Sequence, residues 1–255
     1  MKRAKSVDEE KPESIAFSSA SRKHVTQTLG LNYGPKLRLL LPRQLPNSVP
    51  SETLIGMLES ASKGQLSLSS EAGRSAIILA FILDAQRQYP SHLTTMQQVQ
   101  LSWKQFEGVM DIAVCTEDHK SLLLVVEAKR GWNDDNIYQL LAEAGCILER
   151  REQVLDKNSP VLAILSDAYH FQFFAIDERD KSVYRSKFIA LDILGTTDFK
   201  EAPQVSEILN WIIWFLKIVV STTPRDEAVL TKDDTTHSQG EQPILQELRN
   251  CFVRQ

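Results

Sequence analysis

Asp111, Glu127 and Lys129 are the residues of this chain whose types and spacing most clearly suggest chemistry. Glu127 and Lys129 lie two apart at the end of the apolar run 122–126, so on a strand they project from one face and Ala128 from the other. Charged groups at the end of so apolar a strand are costly unless paired or bound to metal. Residues 109–115 also read as a strand, joined to the first by the polar stretch 116–121. A hairpin centred on His119 sets Asp111 opposite Glu127, with Cβ atoms about 5 Å apart. Carboxylates that close repel one another and raise a pKa, and a divalent cation removes the repulsion. Oxygen ligands at this spacing, completed by water and substrate phosphate, suit Mg²⁺ or the similar Mn²⁺. A slip of one residue would turn Asp111 away from Glu127. The plain alternative is a strand-end ion pair of Glu127 with Lys129 or Arg130, with Asp111 at a sheet rim.

The elements that must position these residues follow from periodicity. Ser69 or Ser70 can cap a helix running to about Tyr89, with Ile77, Ile78, Phe81, Ile82 and Ala85 as its apolar row. Strands are expected at 99–106, 109–115 and 122–129, the last apolar enough to be covered on both faces. Asn133, Asp134 and Asp135 offer caps for a helix to about Arg151, with Ile137, Leu140, Leu141, Ala144 and Leu148 on one side. A strand at 161–165, a hairpin of 169–176 with 182–190 and a helix at about 204–220 complete the core. The acidic run 177–180 reads as a solvated hairpin tip. The expected class is α/β, a mixed central sheet flanked by helices. Residues 1–25 read as a flexible leader, 26–66 as an irregular arm with a short helix at 52–61, 67–220 as the domain, and 221–255 as a polar tail with a short terminal helix.

Gly108-Val-Met-Asp111-Ile-Ala-Val, then Leu124-Val-Val-Glu127-Ala-Lys129-Arg130, then a helix containing Gln139, resembles the PD-(D/E)XK nuclease superfamily. Within it the chain is most similar to the nuclease-like domains of Crinkler-type effectors and of mobile-element proteins. The likeness covers about residues 69–176 and resides in the ordered set of elements rather than in one motif. It implies a restriction-endonuclease-like αβββαβ core. It also implies that Asp111 and Glu127 hold Mg²⁺ while Lys129 positions or activates the attacking water. Met110 stands where many members have Pro. The superfamily pattern assigns Glu71, in the first turn of its helix, to the metal as well; an acid there is also favoured by the helix dipole alone. Gln139 corresponds to a residue that contacts the site or the nucleic acid in several branches, although its four-on partner is Glu143 rather than Tyr. Arg130, Arg74 and Lys104 are candidates to line a phosphate groove.

Composition bounds the partners. Of 255 residues, 42% are apolar and 24% charged, as in ordinary globular proteins. The net charge of −4 argues against strong sequence-independent gripping of phosphates, which relies on Lys and Arg displacing counterions, but leaves room for a local basic groove. The superfamily resemblance implies DNA or RNA as substrate, met through the metal-assisted site. Cys115, Cys146 and Cys251 form no disulfide framework, and the N-terminal residues lack the apolar core of a secretory signal. The apolar stretch 208–220 falls short of the roughly 20 residues of a membrane span and is expected to be a buried helix carrying Trp211, Trp214 and Phe215 in the core. These features point to an intracellular protein, cytoplasmic or nuclear. Trp132 reads as a loop aromatic. The spread of His24, His92, His119, His170 and His237 leaves no paired spacing for zinc. The same sequence also permits a catalytically inactive nuclease-fold module that binds a protein or nucleic-acid partner.

Overall fold

The run Leu122–Ala128 lies near the middle of the sheet because it has nothing polar to offer solvent before Glu127. The computed structural model describes residues 14–42, 48–89, 93–116, 122–129, 133–154, 159–222 and 243–254. In chain order these form β1 (Ile15–Ala16), β2 (Asn32–Leu39), α1 (Glu52–Ser62), α2 (Glu71–Gln86), β3 (Leu93–Trp103), β4 (Phe106–Thr116), β5 (Leu122–Ala128), α3 (Asp134–Val154), β6 (Val161–Ser166), β7 (His170–Ile176), β8 (Ser182–Arg185), β9 (Ile189–Ala190), α4 (Pro203–Thr222), α5 (Pro243–Asn250) and β10 (Phe252–Arg254). The class is α/β, with one mixed sheet flanked by helices.

The sheet runs β1-β4-β5-β6-β7-β8-β2-β10, with β3 added to β4 and β9 to β7. β3, β4 and β5 are antiparallel neighbours, and β6 joins β5 in parallel after the crossover through α3. Each face carries its own core. Leu124, Val126 and Ala128 of β5 pack with Ile77, Phe81 and Ile82 of α2 and with Trp211, Phe215 and Val219 of α4. Val125, on the other face, packs with Leu140, Leu141 and Ala144 of α3. From Leu124 to Ala128 both faces of β5 are thus dry, as its composition requires. α4 is long and apolar enough to cross a membrane by length and composition, yet its apolar residues face the core, where Trp211 stacks on Phe173 with ring centroids 4.9 Å apart.

Helix ends are set locally. Ser70 caps α2 by accepting from the Gly73 amide at 3.1 Å. Gly73 is required there because a Cβ would come within 1.9 Å of the Ser67 carbonyl oxygen. Asn133 caps α3 by accepting from the Asn136 amide at 2.8 Å.

Several expectations are corrected. Residues 14–25 are no loose leader: β1 pairs in parallel with β4, Phe17 stacks on Phe106, and Val25 is fully buried. The arm is not irregular throughout, because β2 inserts between β8 and β10 and buries Leu37 and Leu39. Residues 1–13 and 223–242 of the expected leader and tail lie outside the described residues. The first strand of the meander ends at Trp103 rather than at 106, with Lys104 and Gln105 as the turn and Lys104 at φ 52°. The acidic run 177–180 is not a solvated tip: Asp177 and Glu178 are buried, and Glu178 and Asp180 anchor the C-terminal segment through Arg249 at 2.6 Å and Arg254 at 2.5 Å.

Candidate functional site

The β4–β5 register pairs Ile112 with Val126, Ala113 with Val125 and Val114 with Leu124. At these three pairs the register is that of a hairpin centred on residue 119, although it shifts toward the turn, where Cys115 faces Leu122; one step the other way it brings Asp111 alongside Glu127. The turn itself, residues 117–121, lies outside the described residues. At Asp111 the backbone ladder gives way to side-chain bonding. Asp111 Oδ2 accepts from the Ala128 amide at 2.8 Å, and Oδ1 accepts from Gln98 Nε2 at 3.4 Å. Gln98 faces Asp111 across the β3–β4 pair, where pairing steps from Gln97–Ile112 to Val99–Met110. Its φ of 52° is left-handed, a conformation that non-glycine residues rarely adopt. The alternation of β4 resets at the same point: Met110 belongs to the α3-side core and Ile112 to the opposite one. Asp111 therefore sits at an irregularity shared by three strands, with its carboxylate directed between β4 and β5.

Glu127 is 1% exposed on the α3 side of the sheet. Its Oε1 accepts from Gln139 Nε2 at 2.6 Å and is in direct contact with the Lys129 ammonium, while its Oε2 has no partner. Desolvation, reinforced by the charge of Asp111, lifts its pKa to about 7 despite the opposing pull of Lys129. Glu143 lies one helical turn beyond Gln139 and is fully buried. It accepts from the same Gln139 nitrogen at 3.1 Å and leaves its Oε2 without a partner. Desolvation, then the charge of Glu127, holds the Glu143 carboxyl well above the usual range. Asp111 is raised as well, by burial first and in part by the charge of Glu71, against the bonds from Ala128 and Gln98. Burial works against the charge on Lys129, but the surrounding carboxylates outweigh it and raise its pKa.

Lys129 connects this interior to solvent, its side chain being 21% exposed. Its backbone is held on two sides: the amide donates to the Ser166 carbonyl at 2.9 Å, and the carbonyl accepts from Arg74 Nη1 at 3.3 Å. Glu71 stands exposed at the start of α2, close enough for its charge to act on Asp111. Asp111, Glu127 and Lys129 thus converge, with Glu71 at the margin.

Gln139, Arg74 and Lys104 each have defined partners in the structure. Gln139 is buried and bridges two carboxylates, so of its two expected contacts, the site or the nucleic acid, the structure shows the one with the site. Arg74 donates to the Leu68 and Lys129 carbonyls, tying the start of α2 to the end of β5. Lys104 pairs with Glu149 at 2.8 Å at the β3–β4 turn, away from the carboxylates. Arg130 and Trp132 lie outside the described residues. Sequence reasoning gave no role to Gln98 or Glu143. For Glu143 there was a signal, since it lies i+4 from Gln139 amid Leu140, Leu141, Ala142 and Ala144. For Gln98 there was none, because nothing local marks a left-handed glutamine.

Among the described residues no group of three or more His, Cys, Asp or Glu side chains is disposed to hold a metal ion. A Mg²⁺ site asks less of a protein, one or two carboxylates with water and phosphate supplying the rest. Asp111 and Glu127 fit that requirement. They are hard oxygen donors whose mutual repulsion a cation would relieve, and Glu127 Oε2 is free of partners. No protein-family model matches the chain, and no curated protein matches it.

Proposed function

We propose that this protein is a Mg²⁺-dependent nuclease of the PD-(D/E)XK type, hydrolysing phosphodiester bonds of DNA or RNA. The observation that carries the reading is the convergence of Asp111, Glu127 and Lys129 from two adjacent strands, with a buried Glu127 oxygen lacking any partner. The order of α2, β3, β4, β5, α3 and β6 is the order that the superfamily resemblance leads one to expect. A Mg²⁺ or Mn²⁺ ion held by Asp111 and Glu127 would acidify a bound water and neutralise charge on the scissile phosphate.

The chain's own residues supply the remainder. Ala128 N–H and Gln98 fix the Asp111 carboxylate, and Gln139 fixes that of Glu127. Lys129, partly exposed, orients the attacking water or stabilises the developing phosphorane charge once released from Glu127. Purified protein is expected to cleave DNA or RNA with Mg²⁺ or Mn²⁺, and Glu127→Ala or Lys129→Ala is expected to abolish cleavage. Equal cleavage by wild type and both variants would identify a contaminant and remove the reading.

A second reading, a non-catalytic module of the same fold that binds a protein or nucleic acid, is favoured by one observation: Lys129 closes directly on Glu127. Metal titration separates the two. Capture of a partner with no binding of millimolar Mg²⁺ or Mn²⁺ supports the module.

A further inference from the structure

A cavity of about 240 Å³ opens on the α3 side of the molecule, lined by Arg22, Tyr33, Gly34, Asp134, Tyr138 and Arg185 among others. Its origin is a break in the β2–β8 ladder. Tyr33 pairs with Val183, but the next registered pair is Arg38 with Arg185, and Gly34 and Pro35 occupy the gap. Arg185 reaches back across this gap, donating from Nη1 to the Tyr33 hydroxyl at 2.8 Å, with its guanidinium 5.6 Å from the Tyr33 ring centroid. Its Nε is buried and has no partner. A guanidinium, a planar, forked donor, is suited to an oxyanion. Arg22, also on the lining, adds a second positive charge. Tyr33 and Tyr138 meet edge to face, their centroids 6.4 Å apart, and together present aromatic surface.

We infer that this cavity is a nucleotide subsite in which Arg22 and Arg185 hold the phosphate and Tyr33 and Tyr138 contact the base. Asp134, on the same wall, supplies an acceptor for an exocyclic base amine, which a bare phosphate would leave unused. The cavity and the carboxylates share α3: Tyr138 lines the cavity and the next residue, Gln139, holds Glu127. The nucleotide belongs either to a free mononucleotide or to a strand whose cleavable bond lies at Glu127. Occupancy does not depend on catalysis, so the subsite stands or falls separately from the nuclease reading.

The test measures binding calorimetrically without divalent metal, in the full chain carrying Glu127→Ala. The probes are adenosine monophosphate, inorganic phosphate and a short single-stranded oligodeoxynucleotide. Arg22→Ala and Arg185→Gln are each expected to weaken adenosine monophosphate or the oligonucleotide by about tenfold or more, as loss of a charge-assisted contact predicts. Loss confined to the oligonucleotide identifies a strand as the source, and loss for both probes identifies a free nucleotide as sufficient. Arg22 is exposed, so its variant keeps the test valid if Arg185→Gln fails to fold. Affinities unchanged in Arg22→Ala, no binding of either nucleotide probe, or inorganic phosphate binding as tightly as adenosine monophosphate would overturn the assignment.

Discussion

At Glu127, burial and the charge of Asp111 disfavour ionisation, and the carboxyl titrates near 7 instead of near 4.5. A carboxyl whose pKa is higher in the folded than in the unfolded chain supports folding only while protonated. Its contribution is complete below about 4.5 and is lost as pH rises through about 7. Thermal denaturation should therefore show stability falling over that interval by on the order of 1–3 kcal/mol, with the slope flattened in Glu127→Gln. If Glu127 binds Mg²⁺ as a carboxylate, cleavage rises over the same interval, so activity and stability move in opposite directions. Gln139 offers a separate test. Gln139→Leu removes the donor shared by Glu127 and Glu143 and should cost roughly 1–3 kcal/mol in urea denaturation. Glu143→Gln, which replaces a carboxyl whose burial disfavours its charge, should change stability at neutral pH by less than about 0.5 kcal/mol. A large loss in Glu143→Gln would show that the buried acid carries its charge.

At the scale of elements, what the sequence made legible was whatever has a local period. The apolar run 122–126 marked the central strand, and the polar stretch after Cys115 fixed a hairpin whose register the structure reproduces at three successive pairs. Apolar spacing likewise marked α2, α3 and α4. The parts that stayed hidden depend on distant partners. Nothing in 32–39 declares that it pairs with 182–185, because strand preference expresses the neighbours a segment finds. The bond from Arg74 to the Lys129 carbonyl stayed hidden for the same reason, since its partner lies 55 residues away. Gly73 reads as an ordinary helical glycine but is where the 67–70 loop touches α2. Gly73→Ala would force its Cβ against the Ser67 carbonyl, and should lower the urea midpoint by an amount equivalent to about 1–3 kcal/mol. Wild-type stability in that variant would mean that the loop moves freely aside.

For the molecule as a whole, the C-terminal segment is structural. Ile244 and Leu248 of α5 belong to the core shared with α4, while Arg249 and Arg254 pair with the acids beyond β7. Removing residues 243–255 forfeits about 1.5–3 kcal/mol for each buried aliphatic side chain, against a total stability of about 5–15 kcal/mol. The denaturation midpoint should drop by about 10 °C, as followed by circular dichroism. An unchanged midpoint would show that β10 and α5 merely rest on the sheet.

The insertion of β2 between β8 and β10 also matters while the protein is being made. Asn32 leaves the ribosome 150 residues ahead of Ser182, its neighbour in the finished sheet. At ordinary elongation speeds that is a wait of roughly 8–30 s, during which a strand bearing Leu37 and Leu39 has no edge to join. Nascent chains should therefore engage a holding chaperone until β8 emerges, and slowing translation should lengthen that engagement rather than help the sheet to form.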